Sequence, residues 1–148
     1  MIKNIKKCTV IAPHPDDETL GLGGSLARMS ALGIEISILI VSGHLPPLYD
    51  IKFFEKTMSE AKEAFKILGV QKFEFLKIPA TFLIQEDVSS LYNKISSFIN
   101  NSEPDIVFLP FPDRHIDHRI IFDGGVVACR PKAIGFPKTI LLYETLSE

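Results

Sequence analysis

The sequence predicts an α/β protein: one three-layer α/β/α, Rossmann-like domain built on a mostly parallel sheet. Three observations carry that expectation. Short apolar runs rich in β-branched residues recur along the chain, stretches with apolar residues three and four apart lie between them, and no internal repeat or low-complexity segment breaks the alternation. Strands separated by helices pair in parallel through right-handed crossovers.

The first apolar run covers residues 8–12 and reads as a buried strand. Leu22, Leu26 and Met29 then fall on one face of a helix, and Gly33 stands where a left-handed stop is wanted. A second strand is expected over residues 35–41. Residues 42–50 lack periodicity and hold two adjacent prolines, so they form either the rim of a site or an ordinary connector. Phe54, Met58, Ala61, Phe65 and Leu68 define the next helix, which Gly69 closes. A strand over 73–78 precedes a third helix with Val88, Leu91, Ile95 and Phe98 inward, ended by Pro104. Strands over 106–109 and 139–143 complete the pattern.

At 148 residues the chain fits a single domain, 1–148, and a domain of this size buries roughly 68 to 70% of its unfolded surface. Hydrophobic residues make up 46% and charged residues 23%, values that exclude disorder. A net charge of −2 leaves no basic footprint for nucleic acid. Cys8 and Cys129 stand alone, one in a strand pattern and one late in a helix, so no disulfide framework or four-cysteine metal site is available. A reducing cytoplasm is the expected compartment. The basic start, residues 1–7, meets too short an apolar run to read as a signal peptide. No stretch approaches the roughly 20 apolar residues of a membrane span, so no integral membrane segment is expected.

Chemistry concentrates in two places. Directly after the first strand, Pro13-His14-Pro15-Asp16-Asp17-Glu18 packs one imidazole and three carboxylates together. Helix capping accounts for Glu18, since acidic side chains interact favourably with a helix N-terminus. It does not account for His14 ahead of two aspartates between stiffening prolines, which suits a ligand platform. After the fourth strand comes Asp113-Arg114-His115-Ile116-Asp117-His118-Arg119, where two of the four histidines lie three apart on one turn. In a doubly wound sheet of order 3-2-1-4-5, strands one and four are neighbours, and ligands bind at their carboxyl ends. That topology brings the two turns face to face.

The His-Pro-Asp-Asp-Glu segment at 14–18 and the His-x-Asp-His segment at 115–118 resemble the motif pair of the LmbE-like, or PIG-L, deacetylase family. The segment 21–24, the pattern through Glu60, Ala64, Leu68 and Gly69, the pair Arg130-Pro131 and the ending Leu142-Tyr143-Glu144 extend the likeness over nearly the whole chain. The resemblance implies a zinc-dependent hydrolase acting on an N-acetylated sugar: an N-acetylglucosaminyl conjugate, glycolipid or sugar nucleotide. It implies that His14, Asp17 and His118 hold one zinc per chain, that Asp16 is the general base, that His115 serves the tetrahedral intermediate, and that Asp113 and Asp117 orient the histidines.

The physical chemistry of the residues agrees with that division. Three N/O ligands leave a fourth position open, the mark of a catalytic zinc site. Fe2+ or another divalent ion suits the same ligand set. Adjacent side chains in an extended turn point apart, so Asp17 can face a metal while Asp16 faces a water. A nearby Asp113 or Asp117 would raise the pKa of His115 towards a protonated form.

The chain also departs from the family pattern. Many relatives carry an arginine where Thr57 stands, so the substrate-anchoring contact is either missing here or supplied by Lys56. His44 faces either the sugar or solvent. Most relatives continue past the segment matching Tyr143-Glu144-Thr145, so the domain is expected to lack the usual C-terminal portion, either as a truncated product or as a minimal form whose pocket another subunit of a homo-oligomer completes. The alternative function is a metal-binding, catalytically inactive member serving as a binding module. Neither a GxGxxG turn nor a Walker loop is present, and the motif pair argues against a phosphoesterase.

Overall fold

A computed structural model describes residues 5–131 and 136–145. The expectations about the basic start fall partly, on residues 1–4, outside the described residues. The elements run β1 (Lys7–Ala12), α1 (Asp17–Ala31), β2 (Glu35–Gly43), α2 (Ile51–Leu68), β3 (Lys72–Pro79), a 3-10 turn (Leu83–Gln85), α3 (Val88–Ser102), β4 (Ile106–Pro110), α4 (Ile116–Ala128) and β5 (Thr139–Tyr143). The five strands form one sheet in the order β3-β2-β1-β4-β5, and every pairing is parallel. The α/β architecture and the strand order therefore agree with the sequence.

Strand alternation divides the interior in two. Cys8, Val10 and Ala12 of β1, Ile36, Ile38 and Ile40 of β2, and Ile106 and Phe108 of β4 pack on one face, against Leu22 and Leu26 of α1 and Ala61, Phe65 and Leu68 of α2. Ile11, Leu39, Val41, Val107 and Leu109 point to the other face, against Leu91, Ile95 and Ile99 of α3 and Ile121 and Ala128 of α4. A strand buried on both faces needs a nearly continuous apolar run, which β1, β2 and β4 supply. Thr9, the polar exception in β1, exchanges a 2.8 Å hydrogen bond with Ser102 of α3.

Helix ends follow the residues that stop them. Gly69 caps α2 at φ 73°, Gly33 follows α1 at φ 78°, and Glu103 takes the left-handed position just before Pro104. One inward face is corrected. Val88 is 53% exposed, and Ile99 takes the buried place in α3, because a face through Leu91 and Ile95 continues four residues on. Residues 42 and 43 belong to β2, and Asp50 is the N-cap of α2, its carboxylate accepting from the Lys52 N–H at 2.9 Å. At Gly21 a methyl group would lie 2.6 Å from the Tyr143 ring and 2.9 Å from the Glu144 carbonyl oxygen. Glycine thus lets the first half of α1 close over the end of β5, beside the site. Among the described residues no helix is long and apolar enough to cross a membrane.

Candidate active site

Two turns meet at the carboxyl ends of β1 and β4, the neighbours at which the winding of the sheet reverses. The first turn is pinned to β2, since the Pro13 carbonyl accepts both the backbone N–H of Ser42 (2.9 Å) and its hydroxyl (2.8 Å). Asp16 is the N-cap of α1 at φ 148°, ψ −25°, a backbone conformation that side chains rarely adopt, and its carboxylate makes no capping bond. Capping passes to Glu18, buried at the start of the helix, whose Oε2 accepts the Asp16 N–H at 3.2 Å while Oε1 accepts the Thr19 hydroxyl at 2.7 Å. Burial raises the Glu18 pKa. Asp17, the first helical residue, is buried, whereas Asp16 is exposed. The two carboxylates therefore diverge as the sequence implies.

The second turn needs no unusual backbone. His115 caps α4 in an extended conformation, with its Nδ1 accepting the Asp117 N–H at 3.2 Å, and the Asp113 Oδ1 accepts the His115 N–H at 2.7 Å. His118 follows one turn later, 1% exposed.

Side chains from both turns converge. Asp17 Oδ2 lies 3.2 Å from His14 Nδ1 and 3.4 Å from His118 Nε2, and these three atoms lie within 4.8 Å of one another. The far nitrogen of each ring faces a carboxylate: His14 Nε2 is 3.1 Å from Asp117 Oδ2, and His118 Nδ1 is 2.8 Å from Asp113 Oδ2. Asp117 is held in turn by the Thr81 N–H at 2.7 Å, delivered from the end of β3 by a positive φ of 68°. A carboxylate behind each imidazole fixes which nitrogen keeps its proton and turns the other towards the cluster. Two buried polar side-chain atoms, His118 Nε2 and Asp117 Oδ1, lack a hydrogen-bond partner.

His14, His115 and Asp117 also lie close enough to share an ion. The hydrogen bonding weighs against that set, because His115 Nδ1 already accepts a backbone N–H, which leaves a proton on Nε2 in the neutral ring. His14, Asp17 and His118 are the better donors. His118 Nε2 is buried, makes no hydrogen bond and faces the Asp17 carboxylate at 3.4 Å, and imidazole with carboxylate is a donor chemistry that zinc accepts.

Ionisation follows from the same contacts. Burial works against charge on His14, but the carboxylates of Asp117 and Asp17 outweigh it and raise its pKa to about 9. His118 is raised by Asp17 and Asp113 against the same penalty, and the two imidazoles hold Asp17 well below the usual carboxylate range despite its burial. Asp16 is raised by burial and by the charge of Asp17. His115 is lowered, first by burial and then by cationic His14. Asp117 and Asp113 do push it upward, but burial and the charge of His14 outweigh them, so the expected net rise is corrected to a net fall.

Around the cluster is a pocket of about 570 Å³, walled by Leu20, His44, Tyr49, Ala80, Thr81, Arg114 and Thr145 together with Asp16 and the three histidines of the motifs. The loop after β2 is therefore a rim, and His44 faces the pocket, its ring 4.6 Å edge-on to Tyr49. Of the two alternatives for the anchoring contact, Lys56 does not supply it: its ammonium pairs with Glu60 at 3.7 Å, outside the pocket lining. Thr57 is satisfied within α2 by the carbonyls of Phe53 and Phe54. Sequence reasoning missed Thr81, Leu20 and Thr145, and reached Tyr49 and Arg114 only as members of the 42–50 loop and the 113–119 turn. Thr81 acts through its backbone, which no residue type signals. A larger open groove, about 640 Å³, runs along α3 past Ser90, Asn93 and Ser97, and among the described residues no cluster of metal-ligating side chains lies in it.

An open parallel sheet with a buried His/Asp cluster at its switch point defines a class of site-bearing α/β domain. The family is more specific: the PIG-L family, GlcNAc-PI de-N-acetylase, matches residues 9–129, and this chain belongs to it. The chain is 31% identical over 132 residues to the diacetylchitobiose deacetylase of Thermococcus kodakarensis, covering 78% of this chain and 46% of that protein. It is 30% identical over 149 residues to the uncharacterised deacetylase YaiS of Escherichia coli K12, covering 93% and 78%. Among solved structures, the N,N'-diacetylchitobiose deacetylase of Pyrococcus horikoshii superimposes with a TM-score of 0.81 at 24% identity, covering 98% of this chain and 62% of that one. That likeness establishes the fold. The chain thus spans less than half the length of the Thermococcus relative.

Proposed function

We propose that this chain is a metal-dependent hydrolase that removes an acetyl group from an N-acetylated sugar, with zinc held by His14, Asp17 and His118. The observation that carries the proposal is the convergence of one carboxylate oxygen and two imidazole nitrogens from two separate turns, each imidazole backed by its own carboxylate. Membership of the PIG-L family and the deacetylase relative from Thermococcus support the choice of reaction.

Zinc bound there supplies Lewis acidity, polarising an amide carbonyl and acidifying a water. The remaining roles belong to the chain. Asp16, uncommitted to capping and open to the pocket, accepts the proton of the attacking water, and its raised pKa makes it a better base than an ordinary carboxylate. His115 donates through Nε2–H to the oxyanion of the tetrahedral intermediate. A neutral ring suffices for that. Asp117 and Asp113 position His14 and His118, and Thr81 positions Asp117. Tyr49 and His44 offer ring faces and edges to a sugar at the rim.

Acetate release from N-acetylglucosamine conjugates, diacetylchitobiose included, by zinc-loaded protein tests the reading. Native protein is expected to turn over, and Asp16→Asn to lose about 10² to 10⁴-fold in kcat while keeping its metal. Equal rates in both would remove Asp16 from the mechanism. The alternative reading is a metal-binding member without turnover. Stoichiometric zinc with no acetate from any substrate would select it.

A further inference from the structure

Two segments that extend the family likeness, 21–24 and 142–144, have no part in the chemistry proposed above. The structure joins them in one contact. Gly21 lies on α1 one turn beyond Asp17, and a methyl group there would stand 2.6 Å from Cδ2 of Tyr143, 2.9 Å from the Glu144 carbonyl oxygen and 3.2 Å from Cγ2 of Thr145. At Gly24, in the same segment, a methyl group would meet nothing within 4 Å. The helix is close-packed at the first glycine and open at the second.

The far side of the contact is held from two directions. Tyr143 is 4% exposed, its hydroxyl donates to the Ile11 carbonyl of β1 at 3.0 Å, and its carbonyl accepts the Phe111 N–H at 2.7 Å. The second obstacle, the Glu144 oxygen, is main chain. A methyl group at position 21 therefore has to move α1, by about 0.8 Å, the difference between 2.6 Å and ordinary contact at 3.4 Å. Asp17 is the first residue of that helix, whereas His14 is held to β2 through Pro13 and His118 rides on α4. Moving α1 thus takes the Asp17 carboxylate from its place 3.2 and 3.4 Å from the two imidazoles and leaves the imidazoles behind. A binding constellation tolerates displacements of about 0.5 Å, less than this shift.

We propose that Gly21 and Tyr143 are positioning residues for the metal site: their contact seats α1 so that Asp17 reaches both His14 and His118. This rests on the assignment of those three side chains as the ligands of the ion. Tyr143 fixes the seat, and the missing side chain of Gly21 lets the helix into it. Helix propensity favours alanine at positions 21 and 24 alike, so it gives no reason for the two to differ.

Cobalt(II) titration of the whole chain, read by visible absorption and by competition with zinc, tests this on native protein, Gly21→Ala, Gly24→Ala and Tyr143→Phe, with circular dichroism to confirm folding. Gly21→Ala is expected to bind about 10 to 100-fold more weakly and with an altered visible band, as when a supporting contact of a metal ligand is lost. Gly24→Ala should match native protein in both. Tyr143→Phe keeps the ring but cuts the tie to β1, and should weaken binding by about a few-fold, which carries the test if Gly21→Ala does not fold. Folded Gly21→Ala with native affinity and spectrum, Tyr143→Phe without loss, or Gly24→Ala losing as much as Gly21→Ala overturns the positioning role. Native protein that takes up no cobalt overturns the ligand assignment itself, and the role falls with it.

Discussion

The turns after β1 and β4 face the same local problem, starting a helix at the end of a buried strand, and they solve it differently. In the second turn the side chain that caps the helix belongs to the site: His115 accepts the Asp117 N–H, and the backbone stays ordinary. In the first turn the N-cap side chain is withheld. Asp16 sits at φ 148° with no capping bond, and Glu18 satisfies its N–H. The difference shows what each residue is kept for. A histidine can use one nitrogen for capping and still present the other, whereas a carboxylate hydrogen-bonded to its own helix would be a weaker base. Backbone strain in the first turn is the cost of an open Asp16.

The largest effect that would break this comparison is a double one at Asp16. Asp16→Gly removes the base and relieves the strained backbone together, so acetate release should fall about 10² to 10⁴-fold. In denaturant unfolding the same variant should gain about 1 kcal/mol, the strain relieved being partly offset by glycine's entropy. Lower stability in that variant would mean that the turn is not strained. An intermediate effect sharpens the account of the second turn. Asp113→Asn keeps an acceptor for the His115 N–H but cannot accept from His118 Nδ1 at the same distance, and metal affinity should drop about 10 to 100-fold in a competition titration. Unchanged affinity would show that Asp113 only shapes the loop.

The smallest effect lies at the opposite ends of the same two strands. There Asp105 accepts the N–H groups of Lys6 (2.7 Å) and Lys7 (3.1 Å), and these bonds hold its carboxyl below the ordinary 3.8. A depressed folded pKa stabilises the protein above the unfolded value, and that stability is lost as pH falls through the folded one. Asp105→Ala should therefore cost a few tenths of a kcal/mol, roughly, at neutral pH, a deficit that shrinks below about pH 4 as native protein loses the same charge. Urea midpoints measured at both pH values check it, and a deficit independent of pH would contradict it.

Much of this architecture was legible in the residues, for physical reasons. Runs such as Ile36 to Val41 leave no polar face for water, so a doubly buried parallel strand is their only stable use, and alternation then fixes the crossovers. The two motif turns were legible because imidazoles and carboxylates seldom crowd beside a buried strand, and the switch point of the sheet brought them together as expected. What escaped was carried by backbone or by chain tracing. Thr81 reaches Asp117 through an N–H that any residue possesses, and Tyr49 and Thr145 arrive at the pocket from loops without periodicity. The state of His115 was misjudged because the sequence shows neither its burial nor the nearness of His14, which together outweigh the upward pull of Asp117 and Asp113.

The central claim is that residues from the two turns, 104 positions apart at His14 and His118, hold one ion between them. Elemental analysis and zinc titration of native protein, His14→Ala and His118→Ala, each shown by circular dichroism to be folded, test it most directly. The account predicts one tightly held metal ion per native chain and a loss of tight binding in either variant. Folded variants that keep the ion at native affinity, or native protein that takes up none, would contradict it.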